Sequence, residues 1–210
     1  MTSGTASFTV RPMRELDLDE TAAILRDGFN DDPVWGPVFP EHPDRAAHAL
    51  AHWRFMADQA VKYGEPLVAV LPDGSLGAVS TWFPPGENEV HVNDEPAYEA
   101  LLRSTIGDAA ADSLLNEGEL FAEARPTEPH AYLSLLAVAP GARGLGIGMR
   151  LVSAALERYD AAGMQTYLES SNPANDARYE RLGYVAAKQI HIPGSPTVQS
   201  FLRQPAAPTH

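Results

Sequence analysis

Apolar positions recur along the chain in two periods, short runs and three- to four-residue steps, and the alternation reads as α/β (or α+β). Phe8-Thr9-Val10-Arg11 begins a strand, and Asp17 to Phe29 reads as an amphipathic helix with Ile24, Leu25 and Phe29 inward. Asp31-Asp32-Pro33-Val34-Trp35 breaks that helix. A longer one starts at Pro43, with Ala46, Leu50, Trp53, Phe55 and Met56 apolar, and ends near Gly64. Pro66 to Leu71 and Leu76 to Phe83 are strands around the turn Pro72-Asp73-Gly74-Ser75. A polar connector over 84–93 leads to two helical patterns, Glu95 to Ile106 and Asp108 to Glu123, and to the breaker Arg125-Pro126-Thr127-Glu128-Pro129. After Gly183, Tyr184 to Ile192 and Val198 to Leu202 are strands around Pro193-Gly194-Ser195-Pro196.

Between these flanks lies the segment that carries chemistry. Tyr132 to Val138 reads as a buried strand that Pro140 ends. Gly144, Gly146 and Gly148 follow, leaving backbone N–H groups unshielded at a helix start. Those groups and the positive end of the helix dipole make an anion site, with Arg143 beside it. Leu145, Met149, Val152, Leu156 and Tyr159 then recur at helical steps, and Gly163 sits at the C-terminal cap. No Gly-Lys-Ser/Thr follows, which excludes a Walker-type loop. A dinucleotide-binding loop is a closer rival, because Glu169 stands where a ribose-binding acid would. The Gly-x-Gly-x-Gly spacing, the preceding Arg143 and the short remaining chain oppose it. A glycine-rich turn without a ligand is the bland alternative.

A second strand, ending at Leu168-Glu169-Ser170, passes into a helix with Asn172 as N-cap, Pro173 at its first position and Gly183 closing it. Asn175 and Tyr179 share one face of that helix. Tyr179 could be an ordinary packed phenol. Its hydroxyl, with a pKa near 10, could instead serve as a proton donor. The strands at 131–138 and 165–170, joined by a helix, should be parallel neighbours with a right-handed crossover.

Arg143-x-x-Gly146-x-Gly148 after a buried strand resembles the coenzyme A loop of the GNAT superfamily of N-acetyltransferases, and Asn172 through Gly183-Tyr184 resembles its second cofactor stretch. Asn175 stands where the family more often has alanine. The wording from Tyr132 to Phe201 is similar to the antibiotic-modifying branch typified by puromycin N-acetyltransferase. The resemblance implies one domain over 1–204, with the cofactor half near 131–183. It also implies a mixed sheet of about six to seven strands splayed at its middle, flanked by helices, with a helical insert before the central strand. Implied cofactor contacts are Leu136, Ala137, Val138, Arg143, Gly144, Leu145, Gly146, Ile147, Gly148, Met149, Asn172, Asn175 and Tyr179. Tyr179 would lie by the sulfur, and a backbone N–H near Ala137 or Val138 would hold the acetyl oxygen. Phe29, Trp35 and Trp53 are candidate walls of an acceptor pocket, or plain core. The amine needs a proton acceptor, and Glu169 and His130 are the candidates. Glu169 could instead bond backbone where the strands part, and His130 could be a loop residue.

Composition sharpens the picture. The 210 residues, 44% hydrophobic, suit one domain with a sizeable core, and 205–210 reads as a disordered tail. No cysteine is present, which removes disulfides, a cysteine nucleophile and thiolate metal sites. His48 and His52 lie four apart without a third ligand, so a solvated helix face is expected and no metal. Neither a signal segment nor a run of ~20 apolar residues is visible, so a soluble, cytoplasmic protein is expected. A net charge of −13 argues against a nucleic-acid partner. It suits a cationic amine acceptor, although solubility alone would explain it. Arg143, Arg150, Arg178 and Arg181 cluster near the two helix starts as a local exception. The expected activity is acetyl transfer from acetyl-coenzyme A to a small-molecule amine by a monomer or homodimer. Alternatives are a protein lysine or N-terminal acetyltransferase, or a non-catalytic acetyl-coenzyme A sensor.

Overall fold

Strand β3 (Leu76–Phe83) is buried along its whole length and lies inside a seven-stranded sheet, as its unbroken run of apolar and small residues requires. The computed structural model describes residues 7–206. Around β3 the sheet order is β1 (Thr9–Pro12), β2 (Leu67–Val70), β3, β4 (Ala131–Val138), β5 (Thr166–Ser170), β7 (Val198–Arg203) and β6 (Val185–Ile190). All pairs are antiparallel except β4–β5.

Two helix layers cover the faces. Helices α1 (Leu18–Phe29) and α2 (Arg45–Tyr63) pack on one side, where Leu25, Trp53, Met56, Val79 and Leu135 share a core. Helix α5 (Ile147–Ala161) covers the other, where Trp82, Leu133, Leu151, Leu156 and Leu168 meet. The insert folds as α3 (Glu95–Ile106) and α4 (Asp108–Ala124), ahead of β4 as the pattern predicts. Trp53 is 1% exposed and stacks on Phe29 at 4.8 Å. Trp53→Ala should therefore cost about 3–5 kcal/mol, read as a lowered midpoint in denaturant unfolding.

Strands β4 and β5 pair only over Ala131–Leu133 and Thr166–Leu168, then part. The cause lies in β4. Thr81 faces Leu135 and Trp82 faces Leu133, so Ser134 is an extra residue in the ladder. Such a bulge bends its strand and re-aims its side chains. Leu133 accordingly packs toward α5 while Leu135, two residues on, packs toward α1 and α2. The Leu135 N–H, freed from the regular ladder, donates to Thr81 Oγ1 at 3.0 Å.

Four expectations need correction or refinement. His52 is not on a solvated face: it is wholly buried, with Trp35, Phe39, Trp53 and Tyr98 around its ring. Neither ring nitrogen has a hydrogen-bond partner among the described residues, and burial pulls its pKa down to about 3. Leu145 lies before the helix start and is 51% exposed, so Ile147 takes the inward place. The segment after Asn172 is a single turn, Pro173–Asn175, running into the short α6 (Asp176–Glu180). The backbone N–H of Ala206 donates to Asp160 at 2.8 Å, so order extends into the expected tail, whose residues 207–210 lie outside the described ones. No helix among the described residues is long and apolar enough to cross a membrane.

Candidate active site

The opening between β4 and β5 separates two cavities. One, about 500 Å³, is lined by Leu136, Ala137, Val138 and the loop from Arg143 to Met149. The other, about 660 Å³, lies under α1, α3 and α4. Gly28, Leu136, Arg143, Asn175 and Tyr179 line both, so these residues form the junction.

The smaller cavity is built from backbone. Gly144 and Gly146 hold φ of +80° and +72°, which non-glycine residues adopt only with strain. Gly146 is the N-cap of α5, so its turn aims the first helical N–H groups outward. A Cβ on Gly148 would stand 2.9 Å from Val138 Cγ2; the helix start therefore sits directly against the strand. Gly146→Ala should cost about 1 kcal/mol of stability and weaken coenzyme A binding, checked by thermal unfolding and calorimetry on one preparation. The lining carries Arg143, Arg178 and Arg181 and no carboxylate. The Arg143 guanidinium donates to the Asp27 carbonyl at 2.7 Å, tying the loop to the end of α1. Arg178 donates to Asn175 Oδ1 at 2.6 Å. Arg150 lies instead over the Phe8 ring, 4.3 Å away. Exposed N–H groups, flexible-φ glycines and three cations fit a diphosphate.

Tyr179 is 8% exposed and leans on Tyr184 and Phe201, each ring centroid 6.1 Å away. No described residue hydrogen-bonds its hydroxyl. Burial, with smaller contributions from Asp176 and Asp32, pushes the phenol up to about 12, so it is protonated throughout the physiological range. Asn172 caps its turn by accepting from Ala174 N at 3.0 Å, as its position predicts. It lines the larger cavity only. Leu145 lines neither.

The larger cavity holds a polar cluster at its floor. The Glu169 side chain is 6% exposed and lies 3.9 Å from Arg125 Nε, and its Oε1 accepts no hydrogen bond. Burial raises its pKa, Arg125 and the phenol of Tyr132 oppose the rise, and the outcome is about 7. Arg125 stacks over the Tyr132 ring at 4.0 Å and donates to Glu89 Oε2 at 3.2 Å. Burial alone would lower Arg125; Tyr132, Glu89 and Glu169 instead hold it raised and charged. Glu89 also accepts from the bulged Ser134 hydroxyl. Phe29 and Trp35 line this cavity, whereas Trp53 is core behind them.

His130 is placed elsewhere. It precedes β4 at the end where the strands pair, its Nδ1 donates to the Glu128 carbonyl at 2.8 Å, and it lines neither cavity. Arg125, Glu89, Tyr132 and Ser134 are the residues that sequence reasoning missed. Arg125 reads as part of a breaker and Glu89 as part of a polar connector, with no spacing to link them. Among the described residues no three His, Asp or Glu side chains are grouped to hold a metal ion.

Residues 109–184 match the model of the acetyltransferase (GNAT) family. The whole fold is similar to a Corynebacterium glutamicum protein described as histone acetyltransferase HPA2 and related acetyltransferase. That likeness has a TM-score of 0.72 and 26% identity over 97% of this chain and 99% of the other. Aedes aegypti putative arylalkylamine N-acetyltransferase 7 superposes with a TM-score of 0.66 at 12% identity, covering 95% of this chain and 88% of that one. The Escherichia coli ribosomal-protein-S18-alanine N-acetyltransferase does so at 0.57 and 15% identity, covering 97% of each chain. A mixed sheet that opens beside a glycine-built anion loop thus holds the segment that matches the GNAT family model, and the whole fold is similar to those of known acetyltransferases.

Proposed function

We propose that the protein transfers the acetyl group of acetyl-coenzyme A to the primary amine of a small molecule, by direct attack on the thioester. The single observation that carries this reading is Tyr179 at the junction of an arginine-lined cavity and a carboxylate-lined one, where β4 and β5 part. Acetyl-coenzyme A supplies the acetyl group already activated as a thioester. The loop from Arg143 to Met149, with Arg178 and Arg181, would hold its diphosphate, and the smaller cavity fits that part. Asn175 and Leu136 line the path to the junction, and the free edge of β4 beyond Leu133 offers backbone N–H groups for the acetyl oxygen.

The chain's own groups balance the protons. Glu169 takes one proton from the ammonium, so that the neutral nitrogen forms the new C–N bond. As the C–S bond breaks, Tyr179 Oη gives its proton to the departing sulfur, and the proton that the nitrogen sheds on becoming an amide replaces it. Arg125, stacked on the Tyr132 ring, holds a positive charge 3.9 Å from Glu169 Oε1. Aromatic walls from three helices, Phe29, Tyr98 and Phe121, support a small acceptor over a polypeptide. The similarity of 132–201 to the puromycin-modifying branch makes amine-bearing antibiotics and other specialised metabolites the first class to test. We place the protein in the cytoplasm as a monomer or homodimer.

Thiol release from acetyl-coenzyme A, followed against a panel of amine antibiotics, alkylamines and peptides, tests the reading. Turnover with small amines and none with peptides is expected. Turnover with peptides alone would reverse the acceptor assignment.

A further inference from the structure

The charge of the two cavities is opposite. Nine carboxylates line the larger one against two arginines, Arg125 and Arg143. Arg143 belongs to the coenzyme A side, and Arg125 is already engaged by Glu89 and Glu169. Several of the nine are also committed. Asp32 accepts from the backbone of Val34 and Trp35 and from Ser171, and Glu99 is paired with Arg103. Glu95 on α3 and Glu119 on α4 have no hydrogen-bond or ion-pair partner among the described residues. At the floor, the nearly buried Glu169 Oε1 faces Arg125 Nε at 3.9 Å and accepts no hydrogen bond. A buried carboxylate oxygen lacking a donor carries a desolvation penalty that an incoming N–H would relieve.

We infer that the acceptor is a dication, with its reacting ammonium at Glu169 and a second ammonium or guanidinium at Glu95 and Glu119 on the rim. This rests on the proposed acetyl transfer and names the substrate class of that site. Glu119 lies on α4 six residues before Arg125, which follows the last helical residue, and about 9 Å of helix axis sets the scale of separation between the two charges. Phe29, Tyr98 and Phe121 between them would cover an apolar linker. A monoamine would satisfy the floor and leave the rim unpaired.

Octylamine and octamethylenediamine differ by one ammonium and make a matched pair. Calorimetry on the full chain saturated with coenzyme A should find the diamine binding about tenfold tighter, with the preference shrinking at high salt. In a Glu95→Gln/Glu119→Gln double variant, diamine affinity should fall to that of octylamine while octylamine is unchanged. Both side chains are exposed, so the fold is not at stake. Equal binding of the two amines by the unaltered protein, or a preference that survives in the double variant, would overturn the inference. Heat on adding coenzyme A to the same preparation reports separately on the acetyl-transfer reading.

Discussion

Replacing Tyr179 by Phe should lower kcat for thiol release about a hundredfold and leave coenzyme A affinity unchanged. The ring packs in the core against Tyr184 and Phe201, so Phe preserves the contacts and removes only the hydroxyl. That hydroxyl has no described hydrogen-bond partner, and burial holds it protonated, near 12. It is therefore free to give its proton to a departing sulfur, whose conjugate acid is weaker as an acid than a carboxyl and stronger than this phenol. Uphill donation is tolerated because the phenol can be reprotonated as product leaves. Calorimetry and steady-state rates on the same preparation separate the two effects. An unchanged kcat would reduce Tyr179 to a packing residue.

Glu169→Gln should cost about a hundredfold or more in kcat/KM and change the shape of the pH profile. With a pKa of about 7, the working carboxylate form grows as pH rises through neutrality, so the unaltered enzyme should show an ascending limb there. Gln cannot titrate, and the variant should lose that limb and keep only the rise from the amine's own ionisation. Stability gives an independent sign. Burial raises the folded pKa above the unfolded value, so the favourable contribution is complete below the ordinary carboxyl range and lost as pH climbs through about 7. The midpoint of Glu169→Gln relative to the unaltered protein should accordingly improve from pH 5 to pH 8. A variant with the full ascending limb would mean that another group takes the amine's proton.

The parts of the site that sequence reasoning reached are the ones whose chemistry is local. Gly144, Gly146 and Gly148 must be glycine because of backbone conformation and the closeness of Val138, and a run of three such residues before a helix is visible in any window. Asn172 and Pro173 are readable for the same reason: a cap and a first-turn proline act within three residues. The carboxylate-lined cavity is not built locally. Glu89 reaches Arg125 across 36 positions and Ser134 across 45, and no periodicity joins them. Ser134 owes its direction to a bulge that nothing in an alternating strand announces.

His52 shows the opposite failure. Polar letters four apart suggested a wet face, yet α2 turns His52 inward with Trp53, Met56 and Gln59, because the helix lies between α1 and the insert. The same geometry that hid the histidine positions Phe29 and Trp35 at the cavity wall. The order of β7 between β5 and β6 was equally hidden, since a hairpin pattern leaves open which of its strands joins the sheet.

Isothermal calorimetry of the unaltered protein with acetyl-coenzyme A tests the central claim most directly. The account predicts one site per chain, weakened by added salt because three arginines face the diphosphate. An absence of binding heat across temperatures would contradict it.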